Sequence, residues 1–293
     1  MRLLNEYLRE RFGCKVYKLA LHGASTCPNR DGTCGTGGCI FCSGSGEFAQ
    51  DGQSVTEQIE LAKLRVAQKS KSGRYIAYFQ DFTNTYEDPS VLRSRFTEAI
   101  GHPDVAVLSV ATRPDCLSPE ILLLLKELAE IKPVWVELGL QTVHERTARY
   151  LRRAYPLSVY DDAVRKLHAV GVEVITHMIL GLPGETREDM LETARYIGKS
   201  GADGIKLHLL HVLRGTELAR DYAAGHFRVM EREEYLSVLT DCLRALPEKL
   251  VVHRMTGDGA RRDLIAPMWS TDKKAVLNAI LQRLRQDGSE KRC

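Results

Sequence analysis

The sequence predicts an α/β chain, a partial (β/α)6 barrel of the TIM type with an N-terminal helix and a C-terminal α/β extension. Three observations carry this expectation. Short apolar segments alternate with helical ones six times, at spacings of about 30 to 40 residues, which suits parallel strands joined by right-handed helical crossovers. The segments that leave those strands are rich in polar and glycine residues, and in βα architectures the chemistry collects there. The first of them, Cys27 to Cys42, holds four cysteines within sixteen residues.

Residues 1–12 read as an amphipathic helix, with Leu3, Leu4 and Leu8 at helical spacing. Val16 to His22 is a strand running directly into the cysteine loop, and Ser43 to Phe48 beyond it is a flexible, glycine-containing piece. A helix over Ser54 to Ser70 opens on the N-cap Ser54 with Glu57 three residues later, the pattern of a capping box. Strands then fall at Arg74–Phe79, Val105–Val110, Val134–Leu140, Val172–Leu180 and Gly204–Leu210. Their helices are Ser90–Ile100, Ser118–Glu130, a stretch to about Val170 interrupted near Tyr155–Pro156, Thr186–Lys199, and helices around Leu218 and over Glu231–Leu246. The expected organisation is a helix over 1–15, a barrel over 16–248, and an extension over 249–293 that caps the barrel and ends in a basic helix.

Composition narrows the function classes. At 293 residues and 44% hydrophobic, the chain can bury a barrel-sized core. No apolar run approaches the roughly 18 residues of a membrane span, and the charged start has no apolar signal segment, so a cytoplasmic location with no membrane partner is expected. Eight cysteines in a chain of this size point to metal or catalytic use rather than to a disulfide framework. The net charge of +3 resides entirely in residues 272–293, a weak pointer to a polyanion and equally a solvated helix face.

The cysteine loop carries two metal readings. A structural zinc normally takes two Cys-x-x-Cys knuckles, and only Cys39–Cys42 forms one. An iron–sulfur cubane held by three cysteines leaves one iron open for chemistry and suits the spacing better. Gly32, Gly35, Gly37 and Gly38 let the backbone wrap either centre.

Cys27 to Cys42, with Phe41 between the last two cysteines, resembles the cluster loop of the radical S-adenosylmethionine (SAM) superfamily, and the Cys27–Gly32 flank resembles its YhcC-like branch, related to the catalytic subunit of Elongator. The stretches Phe79–Tyr86, Ser109–Leu117, Glu137–Thr142 and His253–Gly259 extend the resemblance in order along nearly the whole chain. It implies a (β/α)6 barrel, a [4Fe–4S] cluster on Cys27, Cys39 and Cys42, and SAM on the open iron. Cys34 has no place in that pattern and reads as a bystander, and Cys14, Cys116, Cys242 and Cys293 as ordinary thiols.

By the same resemblance, Gln80, Asp81, Thr83 and Asn84 would hydrogen-bond the SAM amino group, although such residues also cap helices. Glu137 and Gln141 would grip ribose hydroxyls; a carboxylate inside an apolar strand is costly to bury unpaired, so Glu137 is expected to face the cavity. Gly181, Pro183 and Gly184 would contact adenine through the backbone, or simply make a turn. Arg152 or Arg153 would pair with the SAM carboxylate, or be a helix-surface charge. Thr112, Arg113 and Asp115 are candidate substrate contacts, and His253 and Arg254, with Arg261 and Arg262, give the extension anion-binding character. His177 and His208 alternate along their strands and read as core histidines or inward-facing groups.

The reading is therefore a radical SAM enzyme that forms a 5′-deoxyadenosyl radical, with a partner electron donor such as flavodoxin or ferredoxin. The branch implies tRNA as substrate, at the side chain of a wobble uridine. A small metabolite as substrate, and a non-enzymatic zinc or iron–sulfur interaction protein, are the alternatives.

Overall fold

The computed structural model describes residues 1–24, 26–43, 54–68, 70, 72–257 and 261–290, the last five by backbone only. Most of the flexible piece expected at 43–48 therefore lies outside the described residues, as do Asp258, Gly259 and Cys293.

Six strands alternate with helices as expected: β2 (Tyr17–Leu21), β3 (Tyr75–Phe79), β4 (Val105–Thr112), β5 (Val134–Gln141), β6 (Glu173–Leu180) and β7 (Gly204–Leu209). Two more strands join them, β1 (Arg2–Leu3) and β9 (Val251–Arg254), giving one sheet in the order β1-β9-β7-β6-β5-β4-β3-β2. Every pairing in it is parallel. The central strands β3, β4 and β5 are nearly uniformly apolar and buried, as the middle of a sheet covered on both faces demands.

The helices are α1 (Leu4–Phe12), α2 (Val55–Val66), α3 (Pro89–Gly101), α4 (Pro119–Ala129), α5 (Glu145–Tyr150), α6 (Leu157–Ala169), α7 (Arg187–Lys199), α8 (Glu217–Ala223), α9 (Arg232–Ala245) and α10 (Lys273–Glu290). A short ribbon pairs β8 (Val212–Leu213) with β10 (Leu264–Ala266), antiparallel. The capping box forms as expected: Ser54 Oγ accepts from the Glu57 N–H and Glu57 accepts from the Ser54 N–H, both at 3.1 Å. The interruption before Pro156 is a double left-handed kink, at Arg152 (φ 59°) and Ala154 (φ 64°).

Two expectations need adjusting. The first residues are not all helical, because Arg2 and Leu3 pair with Val251 and Val252. The extension is also more than a cap, since β9 lies against β7 and continues the barrel sheet. The first depends on a pairing of Arg2 with Val251 and the second on a pairing of Gly204 with Val251, contacts between distant segments that no local pattern reports. The main core lies between strands and outer helices. A smaller apolar cluster of Leu8, Val16, Ile76, Trp135 and Ile175 closes the barrel's lower end beneath α1. Each large side chain buried there contributes about 1.5–3 kcal/mol. Among the described residues, no helix is long and apolar enough to cross a membrane.

Candidate active site

The cysteine loop follows β2, on the side of the sheet where the strands end. Its own backbone folds it. The Cys27 carbonyl accepts from the N–H groups of Arg30 (2.8 Å) and Asp31 (3.2 Å), that of Asn29 from Gly38 (2.7 Å), and that of Cys39 from Cys42 (3.0 Å). Gly38 sits at φ 82°, and a Cβ there would come within 2.9 Å of the Arg30 side chain. Ile40 seats the loop in a satellite apolar cluster with Leu151, Ile179, Leu210 and Leu218. The Ile40 N–H donates to the Leu151 carbonyl (3.3 Å), and its carbonyl accepts from the Leu218 N–H (2.9 Å).

Cys27, Cys39 and Cys42 line one cavity of 390 Å³, whereas Cys34 is exposed and borders a separate hollow with Cys116. The three sulfurs do not all lie within 4.8 Å of one another. A single tetrahedral zinc, with Zn–S near 2.3 Å, would draw its sulfurs to within about 4 Å of each other. A cubane binds each sulfur to a different iron and takes a wider spacing than one zinc ion, so three cysteines on one cavity that form no tight metal group are a donor set it can use. Burial, then the neighbouring Cys42, push the Cys39 thiol up to about 11, while a hydrogen bond from Asn29 pulls the other way. Sulfurs gathered in this way are made thiolates by a bound metal. Asn29 Nδ2 donates to Cys39 Sγ (3.4 Å) and to the carbonyl of Arg152 (2.5 Å).

On the opposite wall the barrel strands project a buried polar network. Glu137, on β5, has a side chain with no exposure. Its Oε1 accepts from Lys18 Nζ (2.8 Å) and Ser109 Oγ (2.8 Å), and its Oε2 from His177 Nε2 (2.7 Å) and Lys206 Nζ. Burial alone would raise its pKa, but Lys18, Lys206 and His177 together hold it well below the usual carboxylate range. Lys206 is depressed by burial despite the attraction of Glu137. Burial and then Lys206 lower His177 to about 4, and burial and then His177 lower His208 well below the ordinary histidine value. The two imidazoles, 5.0 Å apart, are therefore neutral at pH 7. Glu137 does face the cavity, as expected, but both its oxygens are already engaged, so gripping a ribose would require displacing a partner.

Of the other expected SAM contacts, Gln80, Asp81, Thr83 and Gln141 line the cavity. Asp81 Oδ2 lies 3.0 Å from His22 Nδ1. Gln141 and Phe82, the residue after Asp81, hold left-handed backbones, φ 65° and 54°, which cost of order 1–3 kcal/mol and cluster at functional sites. Asn84 does not line the cavity. Its amide donates to the carbonyls of Phe79 (3.1 Å), Asp81 (2.9 Å) and Ala111 (2.9 Å), and its Oδ1 accepts from Ala24 N–H (3.0 Å), so it staples three strand ends. Gly181, Pro183 and Gly184 also lie off the cavity, because Gly181 packs on Met230 and the Gly184 carbonyl accepts from Arg146 (2.8 Å). Ile179, lower on β6, forms that wall instead.

Neither arginine offered for a carboxylate is disengaged. Arg152 pairs with Glu217 through both terminal nitrogens, and Arg153 donates to the carbonyls of Tyr155 (3.0 Å) and Thr142 (2.7 Å) and to Glu145 (2.9 Å). Thr112, Arg113 and Arg254 line the cavity. Asp115 does not, but grips Arg113 at 2.7 and 2.9 Å. His253 is the clearest displacement: it stacks edge-on against Trp135, 5.0 Å between ring centres, in the barrel's lower layer and away from the cavity. Lys18 and Lys206 were the residues sequence reasoning missed. Each is a cation inside an apolar barrel strand, the same signal that singled out Glu137.

A family model described as "Radical SAM superfamily" matches residues 30–197. The chain belongs to the radical SAM superfamily. A second model, "Radical_SAM C-terminal domain", matches residues 202–286. The chain is 46% identical to protein YtqA of Bacillus subtilis over 98% of its own length and 90% of the relative's, and 38% identical to protein YhcC of Escherichia coli over 96% and 91%. It is 26% identical to the tRNA uridine(34) acetyltransferase of Methanocaldococcus infernus over 69% of this chain and 39% of that one. Among solved structures, the archaeal Methanocaldococcus infernus Elp3 shares its fold, with a TM-score of 0.71 at 15% identity, covering 93% of this chain and 63% of that one. These likenesses give the YhcC-like branch, related to Elp3, and a partial TIM-type barrel. The superfamily's cofactors, a [4Fe–4S] cluster and SAM, are those of this chain.

Proposed function

We propose that the protein is a cytoplasmic radical SAM enzyme that modifies the side chain of a wobble uridine in tRNA. The observation that supports the chemistry is the convergence of Cys27, Cys39 and Cys42 on one cavity. These three residues would hold the [4Fe–4S] cluster. When bound, cluster and SAM supply a 5′-deoxyadenosyl radical by one-electron reductive cleavage, the electron coming from a carrier such as flavodoxin or ferredoxin.

The chain's own residues supply the rest. Gln80, Asp81, Thr83 and Gln141 present polar groups to SAM, and Asn29 orients Cys39. The neutral His177 and His208, with Thr112 and Arg113, form the walls open to a substrate. The support for RNA is the relationship to a protein named for uridine 34 of tRNA.

Anaerobic reconstitution with iron and sulfide, followed by assay of 5′-deoxyadenosine after addition of SAM and a strong reductant, tests the chemistry. Comparing tRNA nucleosides from cells with and without the gene tests the substrate. Deoxyadenosine formation with unchanged tRNA would replace RNA by a small metabolite.

A further inference from the structure

We propose that the basic collar beside the cysteine loop, formed by the end of α5, by α8 and by the β8–β10 ribbon, is the docking surface for a small acidic one-electron carrier protein. This rests on the cluster-dependent chemistry proposed above.

The segments of the collar are bonded to one another and to the cysteine loop. The Ile40 carbonyl of the cysteine loop accepts from Leu218 at the start of α8, and its N–H donates to Leu151 at the end of α5. Tyr150 donates to Asp221 at 2.6 Å, tying α5 to α8, and the Arg214 N–H donates to the Asp263 carbonyl at 2.7 Å, tying α8's approach to the ribbon.

On this surface Arg149, Arg152, Arg214, Arg220, Arg261 and Arg262 are exposed, against Glu217, Asp221 and Asp263. Arg220 is 78% and Arg262 85% exposed and Arg152 45%, against 36% for Glu217, 32% for Asp221 and 44% for Asp263. Arg149, Arg214 and Arg261 have no ion-pair partner among the described residues. Such a field steers an acidic protein into place.

The collar also meets the cluster ligands through a short bonded route. The Arg152 side chain is exposed, while its left-handed backbone turns its carbonyl inward onto Asn29 Nδ2, which bonds Cys39 Sγ. A carrier seated on Arg152 is therefore one residue and one hydrogen-bonded amide from a ligand sulfur. The step is a one-electron transfer in which the carrier is oxidised and the cluster reduced, with no bond made or broken. A protein is favoured over RNA because acidic side chains interrupt the cations and Tyr150 lies among them, 37% exposed, a pattern of protein interfaces rather than of a phosphate track.

The test uses reconstituted holoenzyme and flavodoxin hydroquinone under anaerobic conditions, following bleaching of the cluster absorbance and, by calorimetry, the dissociation constant of the pair. For wild type the reduction rate should fall as salt is raised. The R149E/R214E/R220E variant should be reduced by flavodoxin at least tenfold more slowly and bind it correspondingly less tightly, with dithionite reduction unchanged. Wild-type rates in the variant, or a salt-independent wild type, would overturn the proposal. So would a variant that keeps its flavodoxin rate but loses retention of tRNA, which would assign the collar to RNA. A holoenzyme that is reduced in this manner yet cleaves no SAM would sink the proposed function and leave the docking surface standing.

Discussion

Lys206 meets Glu137 in the middle of the barrel, their side chains 2% and 0% exposed, and Lys18, His177 and Ser109 also donate to the carboxylate. The pair is a structural commitment. Removing one member leaves the other's charge buried without its closest partner, which typically costs about 3–5 kcal/mol. Lys206→Met should lower the urea midpoint accordingly, and Lys206→Met with Glu137→Leu should recover part of the loss. A single variant as stable as wild type would show that the pair does not anchor the barrel.

Stability should fall on acidification between pH 6.5 and 4. His177 is lowered from 6.5 to about 4 in the fold, so within that window the unfolded chain binds a proton that the folded chain does not. The resulting loss is on the order of 3 kcal/mol from this residue, complete below the folded value. His208 and His253, both lowered mainly by burial, act in the same direction. Glu137, depressed in the fold, adds a further loss below the unfolded carboxylate range. Denaturation curves across this range should show the decline, shallower in His177→Gln.

Cys34 and Cys39 should separate cleanly in iron content. Cys34→Ala should reconstitute to the wild-type iron and sulfide content, because Cys34 lies outside the cavity that Cys39 lines. Cys39→Ala should lose most of both. Equal loss in the two variants would return Cys34 to the ligand set.

Asn29→Ala should shift the cluster's reduction potential downward, because the amide hydrogen bond to Cys39 Sγ stabilises the more electron-rich reduced state. Redox titration monitored by electron paramagnetic resonance measures the shift. An unchanged potential at full iron content would remove Asn29 from the tuning of the site.

The barrel strands, the cysteine loop and the polar character of the strand-end loops were legible because each is a local signal: alternation of strand and helix, spacing of thiols, composition after a strand. Asn84 shows where local signals stop. An asparagine at a strand end looks the same whether it binds a ligand or, as here, staples the carbonyls of Phe79, Asp81 and Ala111. Gly181 to Gly184 lie off the cavity for a similar reason, since a turn's backbone can face either side of a strand end. Lys18 and Lys206 make sense only once 119 and 69 residues of separation from Glu137 have been closed.

The seam formed by β1, β9 and β7 has a consequence during synthesis. The edge of β7 is an unpaired parallel strand until residues up to Arg254 have left the ribosome, and β1, made before the other strands of the sheet, waits for that same partner. The nascent chain thus carries an open apolar sheet edge through the production of α8 and α9, a window in which pairing with another chain competes with completion. Slowing translation across residues 210–250 should lengthen that exposure and raise the insoluble fraction without altering a single contact of the finished barrel.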